Sequence, residues 1–192
     1  NNSKWHLEYR MSTLTVKELS APTGEVIKIA SGKTLDLNSQ GTLILPTVPS
    51  AKMPTGSVIQ VVNMSNSTNN TSSSLSWAES TITLNITPQF STSKILVQIH
   101  IVGTNKSNNT YLGLRLLRVN PNAVLSQFEN QFMYNAGTGQ ESGGGTGITY
   151  LDSPNSTNAL TYKVQFRSGE NTSNAQFNIG GTSSMTLQEI QG

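Results

Sequence analysis

An eight-residue repeat near the start of the chain constrains its fold more than any other feature. Four aliphatic residues lie eight positions apart, and each is followed two positions later by a small or apolar residue: Leu19, Ile27, Leu35 and Leu43, then Ala21, Ile29, Leu37 and Leu45. Residues i and i+2 of a strand point to the same face. Turn-forming segments at residues 22–24, 31–33 and 38–41 separate the pairs, so each unit is a short strand followed by a turn. Repeated units of this kind predict a fibrous or solenoid β-structure.

One repeat of this size is too small to be stable alone. Ordering its backbone costs about 8–16 kcal/mol, whereas burying two aliphatic side chains returns about 3–6 kcal/mol. An isolated ribbon also leaves its edges unpaired and one apolar face in water. We therefore predict that residues 12–50 form an intertwined β stem, most simply of a homotrimer; the alternative is a set of ordinary hairpins packed on the downstream domain. The predicted oligomer core of the stem consists of Leu19, Ile27, Ile29, Leu35, Leu37, Leu43 and Leu45.

The composition of the chain favours a polar-surfaced β protein. Charged residues make up 11% of the 192 residues, and the formal net charge is only +2, which gives no strong field for binding nucleic acid. The chain contains no cysteine, so disulfides and thiolate metal sites are excluded. No segment has the length and apolarity of a membrane span. We expect no cofactor, no nucleic-acid partner and no membrane insertion.

The chain divides into four parts by its sequence. Residues 1–11 differ in composition from the rest and are interpreted as a tag, a docking peptide or an alternative start. The stem, residues 12–50, ends at Pro46 and Pro49, which break a strand ladder. Residues 51–56 form a linker, and residues 57–192 form a head domain.

The head domain has the alternation of an all-β fold. Residues 81–87 alternate with Ile82, Leu84 and Ile86 inward, and residues 94–102 place four aliphatic side chains on one face. About eight such segments occur, with no convincing helix, which predicts a jelly-roll-like β-sandwich. Residues 63–74 are expected to form a long loop or a solvated sheet edge, and residues 135–147 a glycine-rich loop.

The residues with chemical potential favour binding over catalysis. His100 has no His, Asp or Glu at a metal-ligand spacing, and the glycines at 143–147 lack the lysine and helix of a phosphate loop, so we interpret them as a flexible surface loop. Amide, hydroxyl and aromatic groups on loops of a rigid sandwich suit a receptor surface. The candidate receptor-contact residues are Tyr134, Asn135, Gln140, Glu141 and Tyr150 around the second loop, and Asn69, Asn70 and Trp77 around the first.

Several segments resemble uncharacterised, fibre-like structural proteins of marine tailed bacteriophages. The resemblance covers most of residues 11–192, and its most specific parts are residues 150–154, 162–167 and 186–190. It implies a β-rich virion protein, trimeric and assembled in the host cytoplasm, that contacts other tail or capsid proteins.

Three functions follow as hypotheses. The first is a non-enzymatic tail fibre or fibre tip, in which three heads bind a host-surface glycan or protein multivalently. The second is a capsid decoration or head-fibre protein docked on the shell. The third is a surface-glycan hydrolase with paired carboxylates, for which no residue constellation argues.

Overall fold

The computed structural model describes residues 48–134, 137, 139, 141–170 and 173–192. The stem core from Leu19 to Leu45 lies outside these residues, as do Asn135 and Gln140, so the stem and the homotrimer stay predictions. The described residues contain one turn of 3-10 helix, Ser50–Lys52, and no α-helix. Their strands are β1 (Val58–Asn66), β2 (Asn70–Ser72), β3 (Ala78–Ile86), β4 (Lys94–Ser107), β5 (Leu112–Arg118), β6 (Ala123–Phe132), β7 (Glu141–Asp152), β8 (Leu160–Ser168), β9 (Ala175–Phe177) and β10 (Ser183–Ile190).

The ten strands form two antiparallel sheets. The six-stranded sheet has the order β1-β10-β4-β9-β2, with β7 paired along the other edge of β4. The four-stranded sheet has the order β3-β8-β5-β6. The prediction of an all-β sandwich is confirmed by this architecture.

The core lies between the two sheets and follows from strand alternation. Ile95, Val97, Ile99 and Ile101 of β4 are all at most 5% exposed, because successive side chains of a strand point to opposite faces. The four-stranded sheet contributes the facing side chains Leu112, Leu114, Leu116, Leu160, Tyr162, Val164 and Phe166. The inward position predicted for Ile82 and Ile86 is confirmed, since both are buried.

Of the two alternatives predicted for residues 63–74, the solvated sheet edge is confirmed and the long loop is wrong, because β1 and β2 are the two end strands of the sheet order. Strand β1 continues through Asn66, and β2 occupies Asn70–Ser72. Polar residues form strands here because their side chains bond across the ladder: Asn63 Nδ2, for example, donates to Thr186 Oγ1 at 2.7 Å. A run of Ser, Thr and Asn predicts a loop only when such cross-strand partners are missing.

The glycine-rich loop predicted for residues 135–147 is also wrong in its second half. Strand β7 begins at Glu141 and pairs with β4 through Gly143, Gly144 and Gly147. A Cβ added to Gly147 would lie 2.3 Å from the carbonyl oxygen of Ile99, so this position requires glycine for the backbones to approach. The segment is therefore a structural strand, not a flexible surface loop.

Candidate ligand-binding surfaces

Of the predicted receptor-contact residues, Asn70 is buried and Tyr150 is partly buried. Asn70 is 6% exposed; its Nδ2 donates to Thr68 O and Thr81 Oγ1, and its Oδ1 accepts from the Thr81 backbone N–H. Tyr150 packs against the hydrophobic core. The interpretation of these two side chains as receptor contacts is not supported, because neither presents its hydrogen-bonding or aromatic surface fully to solvent.

Three other predicted contact residues are exposed. Tyr134 follows β6, is 55% exposed and meets the ring of Tyr111 edge-on at 6.3 Å. Glu141 is exposed at the start of β7. Asn69 lines a small groove of about 250 Å³ beside Asn178 and Gly180.

The buried carboxylate of Asp152 belongs to a structural trio. Its Oδ2 accepts from Arg118 Nη1 at 2.5 Å and from Tyr162 Oη at 2.7 Å. Burial of the phenol, and then its hydrogen bond to Asp152, raise the pKa of Tyr162 well above its ordinary value. A deprotonated Tyr162 would place two anions in contact inside the core, which disfavours ionisation of the phenol. The three side chains of the trio come from β5, β7 and β8, so their hydrogen bonds connect these strands.

Glu189 has a similar structural role in the same row of the six-stranded sheet, since Glu189 and Asp152 both lie opposite Ile95 of β4. It is fully buried and accepts from Gln60 Nε2 at 2.6 Å and from the backbone N–H of Gln89 at 2.7 Å. These bonds attach β1 and the β3–β4 connection to β10. Across residues 48–192, the described positions contain no group of three or more His, Cys, Asp and Glu side chains placed to hold a metal ion. None of their helices is long and apolar enough to span a membrane.

The outer face of the six-stranded sheet includes a region without charged side chains. Cross-strand pairing across β1, β10, β4 and β7 aligns three rows of four outward residues. We call this the uncharged sheet face; its rows are Val61-Gln188-Leu96-Leu151, Asn63-Thr186-Gln98-Thr149 and Ser65-Ser184-His100-Gly147. No Asp, Glu, Lys or Arg occurs in these rows, and Val61 and Leu151 are 56% and 50% exposed.

A groove of about 430 Å³ runs across this face beside Gln98, His100 and Thr149. It exists because the neighbouring positions carry small side chains, Gly147 and Ser184. His100 lies opposite the buried isoleucine face of β4 and is exposed. The groove offers hydrogen-bonding groups without formal charge.

The outer face of the four-stranded sheet carries a different site. Trp77, directly before β3, lies beneath two guanidinium groups: Arg115 is 4.4 Å and Arg167 is 4.8 Å from the ring centroid. We call these three residues the arginine–tryptophan cluster. Gly113 makes room for it, because an added Cβ would lie 3.0 Å from Arg167 Cγ and 3.5 Å from Trp77 Cη2.

Sequence reasoning singled out Trp77 but missed its partners. Arg115 and Arg167 are far apart in the chain, and only the pairing of β5 with β8 brings them together, with Arg115 opposite Gln165 and Arg167 opposite Gly113. One signal was present in the sequence, since both arginines occupy outward positions of alternating strands. That alternation does not show that β5 pairs with β8, which is what brings the two arginines together.

Comparison with known proteins gives distant structural similarity only. No protein-family model and no curated protein sequence matches the chain. Among solved structures, the crystal structure of the infectious bursal disease virus VP2 subviral particle matches with 8% identity and a TM-score of 0.34, over 78% of this chain and 43% of that one. The structure of the infectious bursal disease virus Gx strain matches with 10% identity and a TM-score of 0.32, over 79% of this chain and 42% of that one. The chain thus spans less than half the length of either, and similarity at this level carries no functional argument.

Proposed function

We propose that this chain is a non-enzymatic structural protein of a bacteriophage particle, docked on the capsid as a decoration or head-fibre protein. The observation that carries the proposal is the uncharged sheet face. The cores of protein interfaces are depleted in charged residues, and this face has three rows without one. Its exposed Val61 and Leu151 add apolar area at its two edges.

The partner that fits this face is another virion protein with an uncharged surface. Hydrogen-bonding groups such as Asn63, Gln98 and Thr149 supply donors and acceptors for a specific register. The resemblance of residues 150–154, 162–167 and 186–190 to phage structural proteins is consistent with such a partner.

A tail fibre with receptor-binding loops is the second placement. Its support is weaker, because the glycine segment proposed as a receptor loop is a strand and Asn70 is buried. The repetitive stem predicted for residues 12–50 is compatible with both placements, since a head fibre also extends away from the particle.

Copy number distinguishes the two placements. We expect quantitative mass spectrometry of purified particles of the encoding phage to give hundreds of copies, in a fixed ratio to the major capsid protein. A few trimers per particle would overturn capsid docking and favour the tail.

A charge placed in the middle of the uncharged sheet face tests the docking surface. We expect Gln98→Glu to abolish incorporation into particles while the isolated protein keeps its melting temperature. The matched control is Thr83→Glu, which adds the same charge at an exposed position of β3 and should incorporate normally. Normal incorporation of Gln98→Glu would refute docking through this face.

A further inference from the structure

The arginine–tryptophan cluster concentrates positive charge that the protein does not neutralise. Arg115 donates from Nε to Gln165 Oε1 at 2.8 Å, and Arg167 donates from Nη2 to Asn130 Oδ1 at 3.3 Å. Both acceptors are neutral amides. Within the described residues, neither guanidinium of the cluster has a carboxylate partner.

Glu79, the carboxylate whose charge acts on Arg115, forms its ion pair with Lys163. Glu79 Oε2 lies 2.9 Å from Lys163 Nζ, and Glu79 Oε1 accepts from Gln165 Nε2 at 2.7 Å. The hydrogen bond from Lys163 is the largest cause of a lowered pKa of Glu79. Two arginines and one lysine therefore face a single acid, which leaves an excess of two positive charges on this patch.

The two arginines are held close together at a cost. Desolvation, followed by the charge of Arg167, lowers the pKa of Arg115. The Nε of Arg167 is buried and has no hydrogen-bond partner in the described structure, which is uncommon for a buried polar group. Cation–π contact with Trp77 offsets part of this repulsion.

We propose that the arginine–tryptophan cluster binds the oxyanion groups, carboxylate or sulfate, of an acidic polysaccharide. A guanidinium fork matches a carboxylate or sulfate edge with two parallel hydrogen bonds. No terminal nitrogen of Arg115 has an acceptor among the described residues, so its fork is available to a ligand. The amide of Asn130, which is exposed, is suited to the hydroxyl groups of a sugar.

An acidic glycan fits this patch better than nucleic acid does. Nucleic-acid binding depends on several phosphate contacts, often about 6–10, whereas this patch has three cations and one acid. A small, isolated patch suits a polymer whose anionic groups are widely spaced, because the patch then binds a single sugar unit of the polymer. The inference concerns the isolated chain and goes beyond particle docking, so its failure would leave the copy-number result unaffected.

Calorimetric titration of the full chain with defined oligosaccharides tests the proposal. The probes are a uronic-acid hexasaccharide, a sulfated galactan hexasaccharide and a neutral glucan hexasaccharide, together with a single-stranded hexanucleotide. We expect at least one acidic hexasaccharide to bind, with affinity falling as salt rises, and the neutral glucan not to bind. The two acidic probes distinguish carboxylate from sulfate recognition.

Variants that change the charge in opposite directions locate the binding site. We expect Arg115→Gln to weaken binding about tenfold or more, as loss of a charge-assisted pair implies, and Glu79→Gln to strengthen it about two- to threefold. Lys94→Gln removes one positive charge from an exposed position of β4 and should have no effect. Because Glu79→Gln retains both arginines, it remains informative if an arginine variant fails to fold.

Three results would overturn the proposal. The first is that no acidic hexasaccharide binds at millimolar concentration. The second is that Lys94→Gln weakens binding as much as Arg115→Gln, or that Glu79→Gln weakens it. The third is tighter binding of the hexanucleotide, which would assign the cluster to nucleic acid.

Discussion

At the scale of single residues, two ion pairs of this sandwich differ in what surrounds them. Asp152 and Arg118 are 7% and 11% exposed at their side chains, whereas Glu79 is 57% exposed. A buried charge that loses its partner stays desolvated and uncompensated. An exposed charge that loses its partner is solvated by water. The two pairs should therefore respond very differently to the same kind of substitution.

We expect Asp152→Asn to destabilise the protein by about 3–5 kcal/mol, because Arg118 would remain buried without a counter-charge. The matched control, Glu79→Gln, should cost about 0–1 kcal/mol. Guanidinium unfolding at pH 7 measures both. Equal losses of unfolding free energy for the two variants would show that burial of the Asp152–Arg118 pair does not raise the cost of breaking it.

Tyr162 should make the stability depend on alkaline pH. The unfolded phenol ionises near pH 10, whereas burial raises the pKa of the folded phenol. A raised folded-state pKa means that the stabilisation is complete below the unfolded value and is lost as pH rises toward the folded one, by up to about 1.4 kcal/mol per pH unit. The stability contributed by this hydroxyl is thus complete below about pH 10 and declines progressively above it.

We expect Tyr162→Phe to cost about 1–3 kcal/mol at pH 8, since the variant loses a hydrogen bond to a carboxylate. Above about pH 10, the difference from wild type should shrink, because only the wild type retains the phenol. Unfolding in guanidinium at pH 8, 10 and 11 measures this difference. A difference that stays constant over this range would contradict the assigned role of Tyr162.

At the scale of elements, β7 shows how a glycine-rich sequence forms a strand. Its partner β4 supplies a ladder from Ile95 opposite Asp152 to Ser107 opposite Glu141, with a register shift between Ile101 and Thr104. Ladder bonds and close backbone approach compensate for the entropy that glycine loses on ordering. Glycine positions along β7 are not equivalent, since the space around each differs.

We expect Gly147→Ala to destabilise the sandwich by about 1–3 kcal/mol, because the new Cβ would overlap the carbonyl oxygen of Ile99 and force the strands apart. Gly144→Ala is the matched control: its Cβ would meet Phe132 Cζ at 3.5 Å, an ordinary contact, and it should be neutral within about 0.5 kcal/mol. Thermal unfolding of both variants gives the comparison. A neutral Gly147→Ala would mean that β7 does not pack closely on β4.

Most strands of the head domain could be predicted from alternating apolar residues, because such alternation indicates a strand with one buried face. Ile95 to Ile101 in β4 and Leu160 to Phe166 in β8 carry that signal directly. Strands without this alternation, such as β2 and the first half of β7, were not predicted, because backbone hydrogen bonds to partner strands and close contacts at glycine stabilise them. Of the candidate site, Trp77 was predictable as an unusual aromatic residue, whereas Arg115 and Arg167 needed the strand pairing.

At the scale of the whole described unit, the two outer faces of the sandwich have different chemistry. The six-stranded sheet presents rows without charge, and the four-stranded sheet presents Arg115, Arg167 and Lys163. Because the sheets pack through their inner faces, these surfaces point in opposite directions. A protein docked by one face would leave the other open to a ligand.

At the scale of the whole molecule, the stem predicted for residues 12–50 would multiply such a ligand site, since three linked heads would bind a polymer more tightly than one. We expect the full chain to sediment as a trimer and Leu35→Asp to dissociate it, because a charge at each copy of an apolar seam would be buried beside its equivalents. Ser39→Asp adds the same charge in a predicted turn and should leave the trimer intact. Sedimentation velocity of the three proteins measures the outcome. A monomeric wild type, or a Leu35→Asp variant that remains trimeric, would show that these leucines pack within their own chain, and the avidity expected for the arginine–tryptophan cluster would then require another means of assembly.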